Sequence, residues 1–135
     1  MAKALPDPAP VSADLQRLLL SRTVYCSRGG LDPMTGLGCY GLVHWSFAQI
    51  GIALPPTAEE GVEAFVLVQR PYQAWDMVLA QFGTSLDARH VGLLLTPPCG
   101  FHCSWATQGL AHFSLVKGNW QRAFRHVWRY HEFCH

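Results

Sequence analysis

The sequence predicts an α+β fold in which N-terminal helices pack on a central antiparallel β-sheet. Three observations carry this expectation. Apolar residues recur at helical spacing through the first half of the chain. After Pro71 the pattern changes to short apolar runs rich in leucine, valine and aromatic residues. Those runs are joined by Gly and Pro turns too short to hold crossover helices, so neighbouring strands run antiparallel.

Residues 1–11 hold Pro6, Pro8 and Pro10 and read as an irregular lead-in, which leaves residues 12–135 as one domain. Ser12 suits a helix N-cap, and Val11, Leu15, Leu18 and Leu19 share one face of a helix ending near Ser21 or Arg22. Residues 23–26 suit a short extended piece. A turn-rich loop from Gly29 to Gly38 follows and runs into Cys39. Leu42, Val43, Trp45, Phe47 and Ile50 then make a helix that is apolar nearly all round, hence buried, with Gly51 as its stop. Thr57 and Glu60 have capping-box spacing, and Val62, Phe65, Val66 and Gln69 extend that helix to Pro71. Strands are predicted over 77–82, 90–95, 100–105 and 110–115, with a turn at 83–85. A helical turn over 119–124 and a closing basic, aromatic strand over 125–133 complete the chain.

Half of the residues are hydrophobic and 14% are charged, which suits a compact domain with a real core. A net charge of +1 offers no electrostatic footprint for nucleic acid. No apolar run reaches the roughly 18–20 residues of a membrane span. The first ten residues lack the apolar core of a signal peptide, which implies synthesis in the cytoplasm without one. The five cysteines are an odd count, which argues against a disulfide framework.

The chemistry-bearing pattern centres on Cys39. A helix start presents unpaired N–H groups and the positive end of the helix dipole, which favour thiolate over thiol. Thiol hydrolases add a base that holds the thiol proton and a group that orients the base. His90, at a strand start, suits the base. His102, on the next strand, suits the orienter, with His112 a rival one strand further on.

These residues match a family. Cys39-Tyr40-Gly41-Leu42-Val43 resembles the Cys-x-Gly-Leu-Val signature of NlpC/P60 cell-wall peptidases. His90-Val91-Gly92-Leu93 resembles that family's His-Val-Gly-Ile strand, and Phe101-His102-Cys103-Ser104 its Ile-His-Ala-Ser segment. Tyr25 before Gly29-Gly30 resembles a tyrosine near the family's active site, and Trp75-Asp76-Met77-Val78 its Gly-Asp step into the first strand. The resemblance covers roughly residues 15–124. It implies a papain-like core and a cysteine endopeptidase acting on peptidoglycan stem peptides, at the bond between γ-D-glutamate and a diamino acid. Cys39 is then the nucleophile, His90 the base and His102 its orienter. The Cys39 N–H and Tyr25 serve the oxyanion. No metal or organic cofactor is implied. The segments 32–36 and 120–124 resemble the phage-tail branch, which implies tail proteins as partners and a virion location. The family carries aspartate before its cysteine and commonly serine after it, where this chain has Gly38 and Tyr40. The alternative is a catalytically degenerate cell-wall-binding or tail-assembly module on the same fold. A third reading gathers Cys99, His102, Cys103, His131, Cys134 and His135 into a zinc site.

Overall fold

A computed structural model describes residues 3–24, 26–69, 71–81, 89–104, 109–118 and 123–134. Tyr25, Phe82, the expected turn at 83–85, Trp105, residues 119–122 and His135 lie outside the described residues.

Helix α1 spans Ala9–Ser21, and it starts three residues before the expected Ser12 cap. The prolines that suggested an irregular segment start the helix instead. Proline has a helical φ and lacks an N–H that the first turn would leave unpaired anyway. Val11 and Leu15 face the core as expected. The Gly-rich loop is a tight hairpin, β1 (Leu31–Asp32) and β2 (Gly36–Leu37). Cys26 forms a parallel bridge with Leu37, which draws the segment after α1 alongside this hairpin. Helix α2 spans Cys39–Gln49, with Tyr40, Leu42, Val43 and Phe47 buried.

Thr57 caps the next helix as expected: its hydroxyl accepts from the Glu60 N–H at 3.4 Å and donates to the Glu60 carboxylate at 3.1 Å, in place of the reciprocal bond from the Thr57 N–H. The helix it starts, α3, covers only Ala58–Gly61 and passes through a 3₁₀ turn at Val62–Ala64. Phe65–Val68 is then strand β3, where the periodicity predicted helix. Two valines in a four-residue run suit a strand, and backbone pairing with the last strand overrides the helical spacing.

The main sheet has six antiparallel strands in the order β3-β8-β4-β5-β6-β7. The remaining members are β4 (Met77–Gln81), β5 (Arg89–Thr96), β6 (Cys99–Ser104), β7 (Gly109–Ser114) and β8 (Phe124–Tyr130). The closing strand stops at Tyr130, and His131–Phe133 form a 3₁₀ turn.

Strand alternation gives the sheet two distinct faces. Met77, Val91, Leu93, Leu95, Phe101 and Cys103 join Leu42, Val43 and Phe47 of α2 in the larger core. Phe47 is its centre, with edge-on contacts to Phe65, Trp75 and Tyr130 and a stacked contact to Phe133. Val78, Ala80, Leu94, Phe113, Phe124 and Val127 form a smaller cluster on the opposite face.

One buried ion pair pins the sheet's entry. Arg129 of β8 donates to both carboxylate oxygens of Asp76, at 2.8 and 2.9 Å, and Asp76 is fully buried. Arg129 therefore belongs to a structural pair and not to a solvated basic face. Next to it, Trp75 takes a left-handed backbone (φ 74°), at the position that the Gly-Asp resemblance gives to glycine. That conformation costs about 1–2 kcal/mol for a side-chain-bearing residue. Complete burial of the indole and its 2.9 Å N–H bond to the Pro6 carbonyl offset the strain.

Candidate active site

Cys39 is the first residue of α2, and Gly38 is its N-cap in extended conformation. Dense backbone packing sets this helix start. A Cβ on Gly41 would lie 1.7 Å from the Gly30 carbonyl, so the first turn of α2 rests directly on the loop backbone. A Cβ on Gly38 would lie 3.0 Å from the Ser27 carbonyl and 3.2 Å from the Gly29 nitrogen. A side chain at this position would need the loop backbone to give by a few tenths of an ångström, which glycine does not. Tyr40 fixes the same turn from the other side, its hydroxyl donating to the Pro55 carbonyl at 2.6 Å.

His90 lies near the start of β5 and His102 near the end of β6. Gly92 is the register partner of His102, so His90 and His102 are diagonal neighbours on one face. Their rings join through a 2.8 Å hydrogen bond between His90 Nε2 and His102 Nδ1. Phe124 stacks on His90, and Phe113 and Phe124 meet His102 edge-on. Burial pushes His90 down to about 4, and burial with the neighbouring His90 pushes His102 down to about 4. Both rings are therefore neutral at pH 7.

His112 pairs with Phe101 and lies on the opposite face of the sheet from His102. The structure thus joins His90 to His102 and keeps His112 apart. The same alternation breaks the zinc reading, because Cys99 and Cys103 face away from His102. Among the described residues no group of three or more His, Cys, Asp or Glu side chains is placed to hold a metal ion.

Cys39 packs against the helix-side core that contains Cys103. Its thiol has two sulfur neighbours. Burial and then the Cys39 thiol raise Cys26. Burial, then Cys26 and Cys39, push Cys103 up to about 12. Cys103 adjoins His102 in sequence; its side chain lies in the helix-side core with Cys39, and the imidazole pair lies on the other face of the sheet. No hydrogen bond joins Cys39 to His90 among the described residues. Tyr25 lies outside those residues. Nothing local in the sequence marks Cys26 as a neighbour of Cys39; the parallel bridge to Leu37 brings it beside the helix start.

A thiol at a helix start and an imidazole pair on an antiparallel sheet together define a papain-like α+β domain. The profile of the NlpC/P60 family matches residues 23–129. The chain belongs to the NlpC/P60 family. It is 35% identical over 97 residues to the bifunctional muramidase/DL-endopeptidase CwlT of Bacillus subtilis (strain 168), a stretch covering 69% of this chain. That stretch is 28% of CwlT, so the chain spans under a third of this relative. Among solved structures, a lipoprotein-like NLP/P60 protein of Staphylococcus aureus subsp. aureus Mu50 superposes with a TM-score of 0.71 at 20% identity. That match covers 96% of this chain and 43% of the other. The NlpC/p60 domain of the peptidoglycan hydrolase SagA superposes at 0.67 with 17% identity, over 90% of this chain and 97% of that domain. Both likenesses are likenesses of fold.

Proposed function

We propose that this domain is a cysteine endopeptidase that hydrolyses amide bonds in peptidoglycan stem peptides, of the γ-D-glutamyl–diamino acid type. The observation that carries the reading is the 2.8 Å His90–His102 bond on two strands, β5 and β6, against which the helix opened by Cys39 packs. With His90 Nε2 donating to His102 Nδ1, the lone pair of His90 lies on Nδ1, and that atom takes the thiol proton. Cys39 Sγ then attacks the amide carbonyl carbon and forms a tetrahedral intermediate. The developing oxyanion is stabilised by the Cys39 N–H, one of the first-turn donors that a helix leaves unpaired. His90 returns the proton to the leaving amine, and the thioester is hydrolysed by water activated on the same ring. His102 fixes the tautomer of His90. Because both rings are neutral at pH 7, the proton moves during attack, by general-base catalysis. The CwlT likeness supports the endopeptidase class.

Digestion of purified muropeptides tests this. The wild type is expected to release products, and Cys39→Ala to lower the rate by about 10³-fold or more. Equal rates from both would reject Cys39 as nucleophile.

A second reading has its own observations. Gly38 stands where the resemblance puts an acid, and among the described residues no hydrogen bond joins Cys39 to His90. These favour a non-catalytic wall-binding or tail-assembly module. That reading requires the wild type to bind muropeptides without releasing products. Selective alkylation of Cys39 near neutral pH would count against it. Phage-tail association, with the virion as location, rests on the resemblance of the 32–36 and 120–124 segments. Co-purification with assembled tails would test it.

A further inference from the structure

We propose that Cys26 is the resolving cysteine of a reversible oxidative switch, closing a Cys26–Cys39 disulfide when the domain meets a peroxide. The inference rests on the reading of Cys39 as the reactive thiol.

Backbone geometry places the two residues together. Cys26 bridges Leu37, and the Ser27 N–H donates to the Leu37 carbonyl at 3.3 Å. A Cβ on Gly38 would lie 3.0 Å from the Ser27 carbonyl, so 26–27 runs directly against 37–38, with Cys39 next in the chain. The ionisation of Cys26 responds to Cys39, which places the side chains as well as the backbones in one cluster. Both residues are half-buried, so a small oxidant has access to either.

Cys103 is the competing partner, and it is the poorer one. It is 1% exposed and sits inside β6 in register with Leu110 of β7, where the strand backbone is held against the shift that disulfide geometry needs. Burial also leaves it almost entirely as unreactive thiol. Cys26 lies outside any strand, held by one isolated bridge.

The chemistry balances. Cys39 Sγ, its proton passing to His90 as in the proposed hydrolysis, attacks one peroxide oxygen; an S–O bond forms, the O–O bond breaks, and hydroxide leaves to become water. The Cys26 thiolate then attacks the Cys39 sulfur; the S–S bond forms, the S–O bond breaks, and a second hydroxide leaves. Two thiols lose two electrons and the peroxide gains them. The disulfide silences the nucleophile and protects it from irreversible oxidation to sulfinic acid.

The test treats the full chain with hydrogen peroxide, then with dithiothreitol, and reads muropeptide hydrolysis and a peptide mass map. The wild type is expected to lose activity, to show a Cys26–Cys39 linked peptide, and to recover about nine-tenths of its activity on reduction. Cys26→Ser is expected to keep its basal activity, to form sulfinic acid at Cys39, and to recover less than about one-tenth. Cys26→Ala repeats the comparison should serine disturb the loop. A Cys39–Cys103 link, or equal recovery in wild type and variant, overturns the proposal. Failure of the nucleophile reading looks different: the Cys26–Cys39 peptide forms while hydrolysis continues unchanged.

Discussion

The two faces of the sheet are built for different purposes. The helix-side face is a large aromatic and aliphatic core centred on Phe47, and it carries the start of α2 with Cys39. The opposite face is a small cluster in which Phe113 and Phe124 close over an imidazole pair. The first face supplies stability and a fixed helix. The second supplies a low-dielectric setting that holds two histidines neutral. The difference teaches where the proposed chemistry has to occur. A paired sheet is a partition, so a thiol on one face and a base on the other can meet only around the ends of β5 and β6.

Perturbing each face separately breaks or sharpens this comparison. The largest effect is expected from Phe47→Ala, which empties the centre of the helix-side core and costs about 3–5 kcal/mol in chemical denaturation. The loss should be similar at neutral and mildly acidic pH, because the histidines lie on the other face. An equally pH-dependent loss would show that the faces are coupled.

Acid addresses the imidazole face next. Unfolded histidines protonate below their ordinary value of 6.5, whereas the folded pair resists protonation until about 4. The unfolded state therefore binds more protons in this window. The stabilising contribution is complete above 6.5 and is lost as pH falls through 4. Denaturation midpoints across this range should fall in wild type and stay nearly level in a His90→Gln/His102→Gln variant. A level wild-type profile would show that the rings are not held neutral.

A smaller effect is expected from Gly92→Ala. The new methyl would lie 2.8 Å from Phe113 Cε1, so the ring that meets His102 edge-on must shift. The expected cost is about 1–3 kcal/mol, with kcat lowered more than KM is raised. Unchanged kcat would separate Phe113 from the ordering of the imidazole pair.

Much of the site's framework was legible in the chain, for physical reasons. Helix α2 announced itself because a Gly-rich loop, a cysteine and an all-round apolar segment admit few other arrangements. The strands carrying His90 and His102 were legible from the change of period after Pro71. Strand β3 was not, because Val62, Phe65 and Val66 satisfy a helical spacing and only the distant β8 decides otherwise. The Asp76–Arg129 pair spans 53 residues of sequence and leaves no local trace. The choice between His102 and His112 also needed the register, since alternation puts one on each face. The crowding at Gly38 is likewise a property of folded backbone.

The lead-in has a consequence for how such a domain can be rewired. The Lys3 N–H donates to the Glu132 carbonyl at 2.6 Å, and the Lys3 ammonium pairs with the Glu132 carboxylate at 3.0 Å. Residues 3 and 132 are thus neighbours, and a short glycine–serine linker running from beyond Phe133 back to the lead-in would close the chain without disturbing the sheet. New ends opened at Gly51, an exposed residue with φ 81° just past α2, would yield a circular permutant. In that molecule His90 and His102 would precede Cys39 in the chain while every strand kept its partner. The order in which thiol and imidazoles are encoded is therefore separable from the strand pairing and helix packing that hold them.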